Sequence, residues 1–312
     1  MSGDLDRAAE LIRAGGLVAF PTETVYGLGA NALDAVAVAR IFAAKGRPST
    51  SPLIVHVDSV EMARGLAARW PAAADTLARR YWPGPLTLVV PKDPRVPDVV
   101  TAGLPTVGLR MPAHPVALEL IRRSGLPIAG PSANPFTHLS PTTAEHVRKS
   151  LGQSVAFVLE GGPATVGIES VVLSLAGEHP VLLRPGVIPL TEIEALIGEV
   201  EVASVAVREG AHPSPGMHVR HYQPRTPLLL LRPGEPTPDG RGVWLWLTLE
   251  QPGGRRMPED PRAYAAILYE TLHELDDAGL DWIAVERPPE AVEWAGVLDR
   301  LTRAGRPGSP TT

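Results

Sequence analysis

Four short segments of the chain place hydroxyl, carboxylate or cationic side chains beside Pro and Gly. The first runs from Phe20 to Gly29 and carries Thr22, Glu23 and Thr24 directly after an apolar stretch that predicts a buried strand. In open α/β sheets, loops at strand ends form the ligand crevice. Two interpretations stay open: a turn whose polar groups satisfy exposed backbone, or a pocket wall whose hydroxyls bind a small polar ligand.

The second segment contains two cations, Lys45 and Arg47, where a predicted helix ends. Cations at a helix C-terminus can simply interact favourably with the helix dipole. However, Gly46 and Pro48 stiffen the turn and fix the direction of Arg47, as a bidentate phosphate clamp requires. The segment therefore indicates either an ordinary helix end or a phosphate-binding site.

The third and fourth segments have the same character. The third runs from Gly130 to Asn134 and continues to Ser140 ahead of a predicted helix. Its small hydroxyl residues can be helix caps only, or they can form an anion site together with backbone N–H groups. The fourth begins at Gly161 and ends at Arg184, which follows an apolar strand. Such an arginine is either solvated or projects into the same crevice.

The elements that must position these segments are irregularly ordered along residues 1–204. Helix starts are indicated by Asp34 as an N-cap and by three capping-box pairs, namely Asp58 with Glu61, Thr142 with Glu145, and Thr191 with Glu194. Strands are predicted between the helices without strict βαβ alternation. We therefore expect an α/β domain with a twisted mixed sheet flanked by helices.

Residues 205–227 are polar, Pro-rich and non-periodic, which predicts a linker. Because this stretch is dense in Pro, His, Arg and Tyr, we expect it to cover the active site. Residues 228–312 predict a small α/β domain of order β-β-α-β-α, whose first helix has Asp260 as N-cap and Pro261 at its first position. The predicted domains are thus residues 1–204 and 228–312.

Bulk composition excludes several classes of protein. The chain has 312 residues, a net charge of −5 and no cysteine, so disulfides, thiolate metal sites and cysteine nucleophiles are excluded. No basic face for gripping a nucleic-acid backbone is indicated. No apolar run approaches the roughly 20 residues that span a bilayer, and the N-terminus lacks a signal-peptide core. We expect a cytoplasmic protein with no membrane association.

Five motifs in order resemble the YrdC/Sua5 family of threonylcarbamoyl-AMP synthases: FPTETVYGLG, KGRPSTSPLIVH, PSAN…SPTTAEHV, GIES…LRPG and SPGMHVRHYQP. The last resembles the linker of the longer Sua5 type, which carries an extra C-terminal domain. The resemblance extends over nearly all of residues 5–230.

The resemblance implies two sets of binding residues and a catalytic pair. The residues it places near L-threonine are Thr24, His56, Arg110, Gly130 and Ser170. Those it places near ATP are Arg47, Ser51, Thr106, Ser132, Asn134, Ser140, Arg184 and Tyr222. The catalytic pair is Lys45 and Arg47, which would help Arg184 to neutralise a triphosphate.

The implied reaction joins L-threonine, bicarbonate and ATP into L-threonylcarbamoyladenylate and pyrophosphate, so the enzyme would be a nucleotidyltransferase. It is the first step of N6-threonylcarbamoyladenosine formation at tRNA position 37. Since the carbamate nucleophile is already anionic, catalysis should come from positioning and charge neutralisation, with Mg²⁺ bridging phosphates. Downstream proteins that transfer the threonylcarbamoyl group to tRNA are implied partners, while direct binding of tRNA is not expected.

Four positions depart from the family pattern. Ser51 stands where Asn is usual, and Leu173 lies in a stretch where the family often has an Asp that this chain lacks. Thr137 lies in the stretch after Asn134 where the family commonly has a Gly, and His218-Val219 replaces Lys-Tyr. These departures affect details of ATP and metal contact and leave the core cations in place.

Three other interpretations of the sequence stand beside this one. His212, His218 and His221 could form a metal cluster, but no carboxylate or Cys companions lie nearby. A non-catalytic RNA- or ribosome-binding protein on the same fold is the alternative function, against which the acidic net charge argues. A carbamoyl-phosphate-using maturation enzyme would carry acylphosphatase and Cys-rich zinc modules, which this chain does not have.

Overall fold

The structure, a computed structural model, describes residues 2–203 and 221–305. Helices of the first range are α1 (Ser2–Arg13), α2 (Ala35–Lys45), α3 (Val60–Gly65), α4 (Ala72–Tyr81), α5 (Asp98–Thr101), α6 (Pro115–Ser124), α7 (Ala144–Leu151) and α8 (Leu190–Ile197). Its strands are β1 (Val18–Phe20), β2 (Gly27–Asn31), β3 (Ile54–His56), β4 (Leu86–Pro91), β5 (Thr106–Arg110), β6 (Ile128–Ala129), β7 (Phe157–Val158), β8 (Val171–Ser174), β9 (Val181–Arg184) and β10 (Glu201–Val202). The second range has β11 (Leu228–Leu231), β12 (Gly242–Trp246), β13 (Arg255–Arg256), α9 (Pro261–Asp277), β14 (Trp282–Glu286) and α10 (Ala295–Ala304).

The strands of the first range form one mixed sheet in the order β10-β9-β8-β4-β5-β3-β6-β2-β1-β7. Parallel pairs such as β3 with β5 stand beside antiparallel pairs such as β4 with β5. Apolar residues pack on the sheet in two clusters, so helices cover it on both faces. The expected α/β class with a twisted mixed sheet is confirmed.

Residues 228–305, here called the C-terminal unit, carry a second sheet in the order β11-β14-β12-β13. All of its neighbouring strands are parallel. The predicted element order is confirmed except that the short strand β13 was not expected. Asp260 caps α9 as predicted, since its carboxylate accepts a hydrogen bond from the N–H of Ala263 at 2.7 Å.

Strand β2 was not predicted, because the segment was interpreted as a loop. It pairs with β1 as an antiparallel hairpin. Gly is depleted in strands, but here Gly27 and Gly29 are required, since an added Cβ at either would lie 2.9 Å from the ring of Phe20. The hairpin therefore brings Thr22 and Thr24 to the end of two paired strands.

Helix starts were predicted well only where one capping residue was available. Asp34 caps α2 as expected, because it accepts hydrogen bonds from two backbone N–H groups. The predicted Asp58 cap is wrong, since Ser59 caps α3, and the predicted Thr142 cap is wrong by one residue, since Thr143 caps α7. Helix α8 begins after Pro189 and uses no side-chain cap, so the predicted Thr191 cap is also wrong.

The C-terminal unit packs directly on loops of the first range. Its apolar core includes Val25, Leu139 and Ile168 from the first range. Two glycines permit the close approach: an added Cβ at Gly167 would lie 2.2 Å from the Ala265 carbonyl oxygen, and one at Gly296 would lie 2.5 Å from the Gly186 carbonyl oxygen. The two parts thus contact each other through backbone as well as side chains.

Polar groups add to this contact. The hydroxyl of Thr142 donates to Glu270 at 2.9 Å, and the rings of His146 and His273 stack with centroids 3.8 Å apart. The C-terminal unit is therefore placed by specific contacts with α7 and the loop before it.

In the two described ranges, no helix combines the length and apolar character needed to cross a bilayer.

Candidate active site

One cavity brings together side chains from all four chemically suggestive segments. Arg47, Arg110 and Arg184 all line it, although they lie far apart in the sequence. Its other lining residues are Thr22, Thr24, Val25, Gly27, Ile54, His56, Gly130, Pro131, Ser132, Glu169, His221 and Tyr222. Each of the three arginines is at least nine-tenths buried. A small cavity with three buried cations suits a polyanionic ligand.

His56 and Arg110 form one wall of the cavity. They end the parallel strands β3 and β5 and are direct partners in the strand register. Arg110 pairs with Glu23 at 2.8 Å and donates from Nε to the Gly84 carbonyl at 3.3 Å. Burial, and then the charge of Arg110, lower the pKa of His56 to about 3. This wall therefore presents a fixed cation beside a neutral imidazole.

Gly130 lies against the same wall. Its N–H donates to the Ile54 carbonyl at 2.9 Å. An added Cβ would lie 3.0 Å from the ring of Phe20 and 3.1 Å from Nδ1 of His56. Nδ1 has no hydrogen-bond partner within the described chain. The glycine thus leaves backbone and an available ring nitrogen close together.

Thr24 lies at the other side of this wall, in the loop between β1 and β2. Its hydroxyl is 2.9 Å from that of Thr22, which donates to the Val25 carbonyl at 2.5 Å. Both threonines are buried. The hydroxyls therefore support the loop, as the turn interpretation expects, and both threonines line the cavity; that they bind a ligand stays a prediction.

Arg47 is held by the chain that follows it. Its Nη2 donates to Ser51 Oγ and to the Pro52 carbonyl at 3.0 Å, and its Nε lies 3.4 Å from the Ser51 carbonyl. The guanidinium also lies over the ring of Phe136, at 5.5 Å. Burial lowers its pKa to about 10, so it stays cationic at neutral pH. Ser51 therefore acts by orienting Arg47.

Lys45 lies behind the cavity and is not among its lining residues. Its Nζ donates to the carbonyls of Ser132 and Asn134 and is buried. Burial, followed by the charge of Arg47, lowers the pKa of Lys45 well below its ordinary range. The Asn134 amide in turn donates to the His138 carbonyl at 2.8 Å. Lys45 thus fixes the loop that carries Ser132 to the cavity.

Arg184 and Ser170 meet at the start of β8. Both Nε and Nη2 of Arg184 donate to the Ser170 carbonyl, at 3.1 and 3.0 Å. The Ser170 hydroxyl lies 2.8 Å from the hydroxyl of Thr87. Thr87 was not predicted, and it gives no sequence signal because it lies in an apolar strand. Thr106 lies apart, in a smaller neighbouring cavity that Thr87 also lines.

Glu169 is a further residue that was not assigned a role from sequence. Among the described residues it is the one carboxylate that lines the cavity. It accepts hydrogen bonds from Ser140 at 2.5 Å, from Tyr269 at 3.2 Å and from Arg300 at 2.7 Å. Two of these donors belong to the C-terminal unit, which therefore reaches the cavity wall.

Tyr222, near the end of the predicted linker, lines the cavity. It has a left-handed backbone φ of 61° and its hydroxyl has no hydrogen-bond partner in the described ranges. Its neighbours are anchored on both sides, since the N–H of His221 donates to Arg303 and that of Gln223 donates to Thr137. His212 and His218 lie outside the described residues.

A resident metal site is not supported by the side chains present. No group of three His, Asp or Glu residues that could hold a metal ion occurs in residues 2–203 and 221–305. The carboxylate of Glu169 is already occupied by the three donors described above.

Comparisons with known proteins agree over both parts of the chain. The family profile of Sua5, YciO and YrdC proteins, described as "Telomere recombination", matches residues 10–186, and the profile "Threonylcarbamoyl-AMP synthase, C-terminal domain" matches residues 188–305. The threonylcarbamoyl-AMP synthase of Bacillus subtilis is 44% identical, over 96% of this chain and 92% of that protein. That of Pyrococcus abyssi is 42% identical, over 95% and 92%.

A solved structure extends this likeness to three dimensions. The crystal structure of P. abyssi Sua5 complexed with L-threonine superposes with a TM-score of 0.89 at 41% identity. The match covers 96% of this chain and 93% of that one. The likeness therefore includes the C-terminal unit as well as the first sheet.

Proposed function

The chain belongs to the Sua5-type family of threonylcarbamoyl-AMP synthases, and we propose that it makes L-threonylcarbamoyladenylate and pyrophosphate from L-threonine, bicarbonate and ATP. In this proposal it is a nucleotidyltransferase that starts threonylcarbamoyladenosine formation at tRNA position 37. The observation that carries the proposal is the convergence of Arg47, Arg110 and Arg184 on one cavity. Three guanidinium groups on one cavity can contact both the carboxylate of an amino acid and the phosphates of a nucleotide.

The wall formed by His56 and Arg110 is the proposed threonine side. Arg110 is held at 2.8 Å from Glu23, so its guanidinium is already oriented for the carboxylate of an amino acid. The neutral ring of His56 can accept or donate one hydrogen bond without adding charge. Thr24 and the Gly130 backbone complete the proposed site. Ser170 is not among the lining residues, and its contacts are with Thr87 and Arg184.

The side of the cavity bounded by Arg47, Arg184 and Tyr222 is the proposed ATP side. Of the other residues proposed for ATP, Ser132 lines the cavity and Ser51 holds Arg47. The Asn134 carbonyl accepts from Lys45, Ser140 donates to Glu169, and Thr106 lies in the adjoining smaller cavity. Arg47 remains the proposed catalytic cation, whereas Lys45, which was expected to share that role, does not line the cavity and is proposed as a positioning residue. Arg47 faces the ligand, whereas Lys45 acts through the carbonyls of Ser132 and Asn134.

The proposed chemistry needs no nucleophile from the protein. The amine of threonine and bicarbonate form a carbamate with release of water. A carbamate oxygen then attacks the α-phosphate of ATP in line, so that a new O–P bond forms while the bond to pyrophosphate breaks. Arg47 and Arg184 neutralise the charge that develops on the phosphates. Preorganised cations of this kind lower the barrier without reorganising during the reaction.

Magnesium enters this proposal only with the nucleotide. Mg²⁺ commonly keeps several waters and is held by substrate phosphates with few protein ligands. The described residues provide no separate metal cluster, so MgATP is the proposed substrate form and no step is assigned to a protein-held ion.

Burial of the cations weighs against the alternative of an RNA- or ribosome-binding surface. Arg47 is 8% exposed, Arg110 4% and Arg184 3%. Proteins that bind nucleic-acid backbones present cations on an accessible face. Partner proteins that consume the adenylate, the division into residues 1–204, 205–227 and 228–312, and a cytoplasmic location remain predictions from the sequence.

Pyrophosphate release tests the proposed function directly. The purified chain is incubated with MgATP, bicarbonate and one amino acid at a time. We expect release with threonine and much less with serine or valine, and release that disappears when bicarbonate is removed. Release independent of the amino acid, or no release with any of them, would contradict the proposal.

A further inference from the structure

Arg300, in helix α10 of the C-terminal unit, is joined to the cavity wall by three separate hydrogen bonds. Its Nε donates to Oε2 of Glu169 at 2.7 Å, its Nη2 donates to the Glu169 carbonyl at 3.1 Å, and its Nη1 donates to the Pro185 carbonyl at 3.0 Å. The side chain is 0% exposed. Because Glu169 precedes β8 and Pro185 follows β9, one guanidinium fixes both ends of the hairpin that presents Arg184.

The charge of Glu169 explains why such a contact matters for a triphosphate. A carboxylate that lines the cavity opposes the approach of phosphate oxygens unless a cation balances it. Burial alone would raise the pKa of Glu169, but the charges of Arg300 and Arg184 and the hydrogen bond from Ser140 hold it below the ordinary value. Glu169 is therefore ionised at neutral pH, and its charge is balanced largely by a residue of the C-terminal unit.

Helix α10 also determines the position of Tyr222. The guanidinium of Arg300 lies over the Tyr222 ring, 5.3 Å from its centroid. One turn further along, the carbonyl of Arg303 accepts the N–H of His221 at 3.2 Å. The same helix thus holds the carboxylate and the ring that border one side of the cavity.

From these contacts we propose that Arg300 is a positioning residue for the ATP side of the site, which it serves by neutralising Glu169 and by holding the Tyr222 ring against the cavity. The inference rests on the proposed function, and it gives the C-terminal unit a direct part in nucleotide binding. Arg300 does not line the cavity, so it acts through the groups that it contacts there, which are Glu169, the Pro185 carbonyl and the Tyr222 ring. Its Nη1 also pairs with Asp299 at 2.8 Å.

A purely structural ion pair is the competing explanation, since breaking a buried pair destabilises a protein whatever its function. The two explanations differ in which substrate is affected. A loosened interface should impair binding of threonine and ATP together. Loss of charge balance at Glu169 should weaken the binding of ATP alone, because the proposed threonine side lies around His56 and Arg110.

The test compares Arg300→Gln and Arg300→Lys with the unaltered chain. For Arg300→Gln we expect the KM for ATP to rise at least about tenfold, which corresponds to about 1.4 kcal/mol, while the KM for threonine changes less than about twofold. Arg300→Lys keeps the charge but cannot reach both carbonyls, so its KM for ATP should lie between those of the unaltered chain and Arg300→Gln. Arg262→Gln is the matched control, because Arg262 also pairs across the two parts, with Glu192 at 3.4 Å, but is exposed.

A rescue variant separates charge balance from packing. In Glu169→Gln/Arg300→Gln both charges are removed, so the KM for ATP should recover by several-fold relative to Arg300→Gln. Calorimetric titration with MgATP in the absence of threonine provides a readout that does not depend on turnover. Unchanged ATP affinity in Arg300→Gln, or an equal rise in both KM values with no rescue, would overturn the inference.

The two proposals fail in different ways. If the unaltered chain binds MgATP but releases no pyrophosphate with threonine, the proposed function fails while the calorimetric comparison still decides the role of Arg300. If the unaltered chain is active and Arg300→Gln matches it, only the inference about Arg300 fails.

Discussion

Replacing Arg47 by Ala should weaken ATP binding much more than threonine binding. Nη2 and Nε of Arg47 are engaged by Ser51 and Pro52, whereas Nη1 makes no hydrogen bond within the described chain. Nη1 is therefore the atom available to a phosphate oxygen. A hydrogen bond to a charged group contributes about 1.5–3 kcal/mol, so the KM for ATP should rise about 10- to 150-fold.

The same substitution also has a structural cost that must be measured separately. Without the guanidinium, Ser51 Oγ and the Pro52 carbonyl lose their donor, and an unsatisfied buried group costs about 1–3 kcal/mol. Arg47→Lys keeps the charge and loses the fork, so it should show a smaller rise in KM. Arg69→Ala is the control, because Arg69 is exposed and its Nη2 only donates to the Ala176 carbonyl at 3.1 Å.

The assay is pyrophosphate release at varied ATP with saturating threonine and bicarbonate, repeated at varied threonine with saturating ATP. Thermal melting of each variant shows whether the fold is intact. If folded Arg47→Ala changes the KM for ATP by less than about threefold, the assignment of Arg47 to the phosphates is wrong. An equal rise in both KM values would indicate damage to the whole cavity instead.

Three other predictions concern different parts of the molecule. Tyr222→Phe should lower turnover at low ATP but leave the melting temperature nearly unchanged, because the hydroxyl has no partner in the described chain; an unaltered KM for ATP would contradict this. Burial and then the neighbouring imidazole of His146 lower the pKa of His273 to about 4. As the pH falls, the His273 ring is therefore protonated in the unfolded chain before it is protonated in the folded one, so the free energy of unfolding should fall between about pH 6.5 and 4. Urea titrations should show a weaker fall in His273→Gln, and an identical fall would refute the assignment. Gly296→Ala should lower the melting temperature, since its Cβ would meet the Gly186 backbone and overpacking costs about 1–3 kcal/mol, whereas Gly65→Ala, with open space around it, should not.

Sequence patterns predicted elements best where a single local cause determined them. Asp34 and Asp260 were identified as caps because no competing residue adjoined them. At Asp58-Ser59 and Thr142-Thr143, two capping residues stand side by side, and tertiary packing selects the second. Strand β2 was not predicted because glycine has a low strand propensity. Its glycines are needed for a tertiary contact, since only they leave room for the ring of Phe20.

The candidate site was predictable as far as it lies in contiguous motifs. Arg47 and Arg184 do share a cavity, as the positions of their segments suggested, and Arg110, which was expected there only from the family resemblance, lines it too. The residues behind them were not predictable, since Thr87 resembles any strand residue and Arg300 resembles any arginine of an amphipathic helix. Their relevance depends on contacts over 83 and 131 residues of sequence, with Ser170 and Glu169 respectively. Local sequence patterns cannot predict contacts between residues so far apart in the chain.

The apolar core shared by the two parts has a thermodynamic consequence. Val25, Leu139 and Ile168 are 6%, 4% and 0% exposed because they are packed into the core of the C-terminal unit. If that unit unfolded alone, these side chains would become exposed to water beside the cavity, and the order of the cavity wall would be lost as well. The chain should therefore melt in one cooperative transition, with activity and secondary structure disappearing over the same few degrees.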